Sequence, residues 1–275
     1  MEPALQGEHA ITNAVRITNR NGRSPIVLIC DHASNFIPKR FGGLGLGKRE
    51  LESHIAWDPG ALPVARRLSK ALDATLIESR LSRLLIDCNR PLDAPDLICP
   101  VSEATAVPGN ANLSLEDRQA RVALSWQPFH EAVEQLIKGR LLQDRGTMLV
   151  SVHSFTPVYK GVKRPWHIGI LHDEDRSIAD PMIAALKSSE GIVVGDNEPY
   201  SPADRVYFTL ERHGRSRGLP CAMIEIRNDE IGDEAGQRKW AGLLAPILTV
   251  LELGEGSAPG GNLEKAMANG GREIA

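Results

Sequence analysis

Several short apolar runs of this sequence lead into side chains that can do chemistry. The run PIVLIC is followed by Asp31 and His32, the run TMLVSV by His153, and the run PCAMIEI contains Glu225 near its end. Two imidazoles and one oxygen ligand form a typical catalytic zinc site, which leaves a fourth position for water. A carboxylate outside the coordination shell can then accept a proton from that water. These residue types therefore indicate metal-assisted hydrolysis.

Arginines near the predicted strand ends suggest that the substrate carries a carboxylate. Arg83, Arg90 and Arg227 lie close to such ends, and Arg90 directly follows Asn89. A planar guanidinium can hold a carboxylate through two parallel hydrogen bonds. We therefore expect a small carboxylate-bearing molecule as the binding partner.

The elements that must position these side chains follow an alternating pattern of short β-branched runs and longer segments of helical period. This pattern is typical of a three-layer α/β/α domain around a mostly parallel mixed sheet. Ligands of such sheets bind beyond the carboxyl ends of the strands, where the candidate residues fall. The predicted strands are 25–30, 74–78, 83–87, 147–152, 167–171, 192–194 and 220–226.

Helix signals complete the pattern. A helix is predicted at 59–72, because Asp58 can cap it and apolar residues recur on one face. Two further helices are predicted at 114–142, with a break at Pro128, and at 233–252, bent or divided at Pro246.

The domain organisation is predicted to be simple. One domain spans 24–253, preceded by an N-terminal extension at 1–23 and followed by a flexible Gly-rich tail at 254–275. The stretch 92–112 is a long loop rich in Pro, Asp and Asn that could form a lid.

Composition and charge argue against several classes of partner. The 275 residues include 35 acidic and 32 basic ones, so the net charge of -3 offers no broad positive field for nucleic acid or an anionic membrane. No segment approaches the ~20 apolar residues of a membrane span, and the first residues lack the features of a signal peptide. We therefore expect a cytoplasmic protein. The sequence does not indicate an oligomeric state.

The cysteines are predicted to be structural. Cys30, Cys88 and Cys221 lie in or just after apolar runs, where a reduced thiol packs as a small hydrophobic group. There is no C-x-x-C pair, so a metal must be held by histidines and carboxylates.

Other catalytic motifs are weak or missing. The segment 42–48 nearly matches a phosphate-binding loop, but Arg49 stands where a hydroxyl residue is needed, so we interpret it as a surface loop. The H-E-x-x-H motif does not occur.

Four segments, in this order, resemble the N-formylglutamate amidohydrolase family, which is related to the zinc carboxypeptidases and aspartoacylase-type deacylases. They are DHASNFIP, SRLSRLLIDCNRP, VHSFTP and LPCAMIEIRNDEI, and the resemblance spans roughly residues 24–250. It implies a phosphorylase/hydrolase-like fold and one zinc ion held by His32, His153 and an acidic side chain. It also implies Glu225 as general base and carboxylate contacts from Arg90 and its neighbours.

The third metal ligand is left open by this resemblance. Carboxypeptidase relatives take a ligand from His-x-x-Glu, but the corresponding residue here is the neutral Asn35. Asp58 is the first alternative, although a role as cap of the following helix is equally compatible with its position.

The resemblance implies hydrolysis of N-formyl-L-glutamate, or a similar N-acyl amino acid, to formate and L-glutamate. The first loop reads DHASN where histidine-degrading members have a Pro-His-Ser-Gly form, so another acyl group or amino acid is an open alternative. A non-catalytic carboxylate-binding protein and a carboxypeptidase-like deacylase are the others. The expected site comprises His32, His153 and Asp58 for the metal, Glu225 for catalysis, and Asn89, Arg90, Arg83, Arg227 and Ser154 for the substrate.

Overall fold

The strands form one seven-stranded sheet and two small hairpins in the computed structural model, which describes residues 14–252 and residue 254. In chain order they are β1 Val15–Thr18, β2 Ile26–Cys30, β3 Thr75–Ser79, β4 Val101–Ser102, β5 Thr105–Ala106, β6 Met148–Phe155, β7 Val158–Tyr159, β8 Val162–Lys163, β9 Ile168–Leu171, β10 Val194–Asp196 and β11 Cys221–Arg227. The hairpins are β4–β5 and β7–β8.

The large sheet is mixed, with the order β1-β3-β2-β6-β11-β9-β10. Its four central strands β3, β2, β6 and β11 are parallel, whereas β1 and β9 run antiparallel to their inner neighbours. Parallel strands bring their carboxyl ends to the same edge of the sheet. The side chains at the ends of β2, β6 and β11 therefore meet at one edge.

The helices are α1 Lys48–Glu52, α2 Ala61–Ala71, α3 Leu115–Arg121, α4 Gln127–Leu141, α5 Ala179–Lys187, α6 Phe208–His213 and α7 Glu234–Glu252. They cover both faces of the sheet. Successive strand residues point to opposite faces: Leu28 packs in the cluster that contains residues of α2, α5 and α7, and Val27 packs in the cluster that contains residues of α4 and α6. The predicted three-layer α/β/α fold is confirmed.

The segment 83–87 forms turns, so its prediction as a strand was wrong. Its backbone bonds go to other loops: the amide of Leu85 donates to the carbonyl of Ser82, and the amide of Asp87 donates to that of Leu97. The apolar side chains of this segment are nevertheless buried, in two separate clusters. A buried loop and a buried strand have the same apolar pattern, which is why the pattern misled.

The helical predictions need two corrections. The predicted break at Pro128 is replaced by a π-helical turn, Val122–Trp126, that joins α3 to α4. Since Pro128 has no amide proton to donate, a change of helical pitch just before it accommodates the missing bond. Pro246 lies within α7, which continues as one helix to Glu252.

Some elements were not predicted at all. Strand β1 pairs with β3 and lies within the segment assigned to the N-terminal extension. The short helices α1, α5 and α6 were also missed. The predicted tail at 254–275 lies outside the described residues except for residue 254.

The loop 92–112 contains the hairpin β4–β5 and is tied to the body of the domain. The side-chain nitrogen Nδ2 of Asn110 donates to the carbonyls of Leu84 and Cys99, and Arg121 donates to the side-chain oxygen of Asn110. Within residues 14–252 and 254, none of the helices combines the length and apolar character needed to cross a membrane.

Candidate active site

The edge at which β2, β6 and β11 end carries the residues singled out from the sequence. Asp31 and His32 directly follow β2, His153 lies near the end of β6, and Glu225 lies near the end of β11. All four side chains are buried. His153 and Glu225 are register partners on adjacent parallel strands, so the sheet itself sets their spacing.

His32 has one ring nitrogen engaged and one without a hydrogen-bond partner. Its Nε2 lies 2.7 Å from Oδ1 of Asp87, so Nε2 carries the proton and donates to that carboxylate. Its Nδ1 has no hydrogen-bond partner among the described residues, and Oδ2 of Asp58 lies 3.4 Å away. In the neutral ring, Nδ1 is therefore a lone-pair donor available to a metal ion.

His153 lies between two aspartates. Its Nδ1 is 2.8 Å from Oδ2 of Asp58, and its Nε2 is 2.9 Å from Oδ1 of Asp31. Its ring is roughly perpendicular to that of His32, with 4.9 Å between the ring centroids. Either nitrogen of His153 can bind a metal while the other donates to the remaining aspartate.

Asp58 is held at the site and does not cap α2, so the cap prediction was wrong. Oδ2 of Asp58 accepts from the amide of Ser154 as well as contacting His153, and α2 begins only at Ala61, with no side-chain cap. Gly60 makes this path possible. Its φ is 81°, and a Cβ there would lie 2.3 Å from the carbonyl oxygen of Ile231.

A second layer of hydrogen bonds holds the aspartates. Thr209 Oγ1 donates to Oδ2 of Asp31 at 2.7 Å, and the amide of Thr209 donates to Oδ1 of Asn89 at 2.9 Å. The amide of Asn89 donates to Oδ1 of Asp87, which in turn accepts from His32. This chain of bonds fixes the orientation of both histidines.

The charges around the histidines stabilise a positive centre. Burial lowers the pKa of His153. The nearby carboxylates of Asp31 and Asp58 raise it by more than burial lowers it, so the net pKa lies well above the usual value. Burial likewise raises the pKa of Asp58, but His32 and His153 lower it well below its usual range. A bound cation replaces such protons, because metal binding requires deprotonated ligands.

Glu225 is buried with one carboxylate oxygen, Oε2, that has no hydrogen-bond partner in the described part of the chain. Burial raises the pKa of Glu225 to about 7, with opposing effects from His153, which lowers it, and Asp58, which raises it. Arg227, two residues further along β11, does not neutralise Glu225, because its guanidinium forms ion pairs with Asp229 and Glu230.

A cavity of about 410 Å³ opens onto this edge. Among the residues proposed from the sequence, its lining includes His32, Asp58, Arg83, Asn89, Arg90, His153, Ser154 and Glu225. Asn35 and Arg227 are not part of the lining. The side chain of Asn35 donates to the carbonyl of Leu51.

Several polar groups of the cavity wall already have protein partners. Arg83 contacts Asp87 at 2.8 Å and Asp58 at 3.5 Å. Arg90 Nε contacts Asp96 at 2.7 Å, while its Nη1 donates to backbone carbonyls. The side-chain amide of Asn89 donates to the carbonyl of Val206 and accepts from the backbone amide of Thr209. The Ser154 hydroxyl donates to the carbonyl of Pro59.

The residues present fit a metal ion. Asp31, His32 and His153 offer ligand atoms that all lie within 4.8 Å of one another, and Asp58 Oδ2 is close to both rings. His32 Nδ1 is buried without a hydrogen-bond partner among the described residues, and the buried atoms Asp31 Oδ1 and His153 Nε2 contact each other at 2.9 Å without hydrogen-bond geometry. Buried polar atoms without partners are costly, so their convergence is explained by a ligand that binds there.

Sequence reasoning did not assign roles to Asp31, Asp87 and Thr209. Asp31 and Asp87 each directly follow an apolar run, and this signal could have identified them. Thr209 lies in the first turn of the short helix α6, far along the chain from both. Nothing in its local sequence indicates contact with Asp31.

A family model described as N-formylglutamate amidohydrolase matches residues 24–232. A search of curated proteins found no match.

Two solved structures share the fold. The crystal structure of gene product Atu2144 from Agrobacterium tumefaciens has 43% sequence identity and a TM-score of 0.86, covering 88% of this chain and 96% of that one. N-formylglutamate amidohydrolase from Ralstonia eutropha JMP134 has 19% identity and a TM-score of 0.63, covering 88% of this chain and 99% of that one. With the family model matching most of its length and the buried histidine and carboxylate cluster at the sheet edge, this chain belongs to the N-formylglutamate amidohydrolase family.

Proposed function

We propose that this enzyme hydrolyses the amide bond of an N-acyl amino acid, with N-formyl-L-glutamate as first candidate and formate and L-glutamate as products. The observation that carries this proposal is the convergence of His32, His153 and Glu225 on one cavity. Membership of an amidohydrolase family supports the type of reaction. The buried free thiols of Cys30, Cys88 and Cys221 support a cytoplasmic location.

We propose one divalent metal, zinc, with His32, His153 and Asp58 as ligands. Asp58 lines the cavity that a substrate would enter, whereas the side chain of Asp31 is fully buried behind it. His153 would then bind through Nδ1 and donate from Nε2 to Asp31. A ligand set with Asp31 in place of Asp58 uses the other nitrogen of His153, and the two sets are separable by mutation.

When bound, such an ion lowers the pKa of water to ~7 and polarises a carbonyl group. The protein supplies the proton transfers. Oε2 of Glu225 accepts a proton from the attacking water, and the same carboxyl then donates it to the leaving amine nitrogen. One residue thus serves both halves of the hydrolysis.

We propose that Arg90 binds the α-carboxylate of the substrate, with Asn89, Arg83, Arg227 and Ser154 in supporting roles. Arg90 lines the cavity. Its Nε and Nη1 have partners within the protein, but its Nη2 has none among the described residues and is therefore available to a substrate carboxylate. The internal bonds of Asn89, Arg83 and Ser154 favour positioning roles for them. Arg227 lies outside the lining, so any effect it has acts through the end of β11.

The test is a substrate panel. Purified protein loaded with zinc is assayed against N-formyl, N-acetyl and N-succinyl derivatives of glutamate, glutamine and alanine. We expect the fastest release of amine from N-formylglutamate, and loss of activity on chelation with recovery on adding zinc. A preference for another acyl group would reassign the substrate, and no hydrolysis of any compound by metal-loaded protein would contradict the proposal.

A further inference from the structure

The hairpin β7–β8 forms part of the cavity rim. Its two strands are joined by Lys160 and Gly161, whose φ values are 48° and 81°. Two-residue turns with both central residues at positive φ match the twist of the flanking strands. The turn therefore sets the position of Lys160, which lines the cavity together with Tyr159.

The side chain of Arg164 packs the base of this hairpin against the rest of the domain. Arg164 is buried, and its guanidinium carbon lies 4.5 Å from the ring centroid of Tyr159 and 4.6 Å from that of Tyr200. Its amide donates to the carbonyl of Pro157. The rings of Tyr159 and Tyr200 both border the cavity, so the stack fixes the wall from which Lys160 projects.

The other basic side chains of the cavity lining already have acidic partners. Arg83 is paired with Asp87 and Asp58, and Arg90 is paired with Asp96. His54 is 2.9 Å from a carboxylate oxygen of Glu103.

Lys160 differs from these residues. Its Nζ lies 5.2 Å from the ring centroid of Tyr159, and it forms no ion pair with any carboxylate of residues 14–252 and 254. A lysine ammonium is a compact charge on a flexible stem with three donors, suited to an anion that arrives from solvent.

We propose that Lys160 binds the side-chain carboxylate of a dicarboxylic N-acyl amino acid, and so makes the enzyme prefer acidic over neutral substrates. This inference rests on the proposed function, in which Arg90 binds the α-carboxylate. A second carboxylate needs a second cation. Within the part of the chain that the structure describes, Lys160 is the lysine or arginine of the lining whose charge no protein carboxylate balances.

The experiment compares N-formyl-L-glutamate with N-formyl-L-glutamine, which have side chains of the same length that end in a charged carboxylate and a neutral amide, respectively. We expect Lys160→Gln to raise KM for the glutamate compound by about 5-fold to 20-fold, between the loss of an exposed ion pair and that of a charged hydrogen bond. The kcat and the kinetics on the glutamine compound should stay within about twofold. Lys160→Arg should recover most of the loss. Lys163→Gln is the matched control, because Lys163 is exposed on the same hairpin and outside the lining.

Equal losses on both compounds, or an unchanged KM for N-formylglutamate, would overturn the inference. Calorimetric binding of L-glutamate and L-glutamine separates this failure from failure of the proposed function. If the wild type hydrolyses neither formyl compound, the proposed function fails, and the role of Lys160 is then decided by binding. Tighter binding of glutamate that Lys160→Gln abolishes supports it, and the absence of any such preference refutes it.

Discussion

Glu225 on β11 and His153 on β6 are register partners in adjacent parallel strands. The proposed base and a proposed metal ligand are therefore positioned by the ladder of the sheet rather than by flexible loops. Ligands and catalytic groups on rigid elements hold their geometry more closely than those on loops. The same pair gives the most direct test of the mechanism.

Glu225→Gln should retain metal and lose turnover. The amide keeps the shape of the side chain but cannot accept a proton, and general acid-base catalysis contributes about 10²-fold to 10⁴-fold in rate. The kcat and the metal content per chain are measured on the same preparation. Glu211→Gln, on the exposed surface, is the control. A Glu225→Gln enzyme within a few-fold of the wild-type rate would refute the mechanism, and one that has lost its metal would make Glu225 a ligand.

His32→Ala and His153→Ala should each empty the metal site, because each removes one of two imidazole ligands. Metal content after dialysis against a weak chelator is the measurement, with circular dichroism as a check on folding. His54→Gln, at the mouth of the same cavity, should retain its metal. If both alanine variants keep full metal content, the centre lies elsewhere.

Asp58→Ala should weaken metal binding more than Asn35→Ala, because Asn35 is bonded to Leu51 outside the cavity. Asp31→Asn distinguishes the two ligand sets. If Asp31 only orients His153, its loss should cost about 10-fold to 100-fold in metal affinity, as is typical for residues behind the ligands. A larger loss for Asp31→Asn than for Asp58→Ala would make Asp31 the third ligand.

Arg90→Ala should reduce kcat/KM on N-formylglutamate by about 10-fold to 150-fold, the equivalent of about 1.5–3 kcal/mol for a charged hydrogen bond. Arg90 also pairs with Asp96, so a structural contribution must be separated. An uncharged N-acyl compound supplies the comparison. A loss of the same size on that compound would show that Arg90 acts through the structure.

The buried pair His130 and His213 should make stability depend on pH. Burial, together with neighbouring positive groups, lowers the pKa of His130 to about 3 and that of His213 to about 4. Because these folded values lie below the unfolded value of ~6.5, the pair stabilises the fold above that pH. The stabilisation is lost as the pH falls from ~6.5 towards the folded values.

Urea unfolding of the wild type and of His130→Gln at pH 7 and pH 5 measures this effect. The wild type should lose more free energy of unfolding than the variant over this interval, by about 2 kcal/mol for one buried histidine. Subtracting the pH-dependent change in the free energy of unfolding of one protein from that of the other removes the contribution of the groups that titrate in both. Identical pH dependence in the two proteins would show that His130 does not titrate as its burial requires, and His54→Gln should match the wild type.

The sequence by itself determined the fold class and the residues that lie at the functional edge. Apolar runs that end in His32, His153 and Glu225 are local features, and parallel strands bring their ends to one edge whatever the loops between them do. Local pattern could not distinguish the buried turns at 83–87 from a strand, since both bury the same side chains.

Only the tertiary structure decided how these residues are supported. Asp58 lies close enough to a helix start to suggest a cap, but its carboxylate contacts His153, 95 residues away along the chain. Thr209 contacts Asp31 across a separation of 178 residues. Such contacts depend on the packing of distant segments, so no local spacing predicts them. The same holds for Lys160, which has no carboxylate partner among residues 14–252 and 254, because this is a property of the assembled cavity and not of its neighbours in sequence.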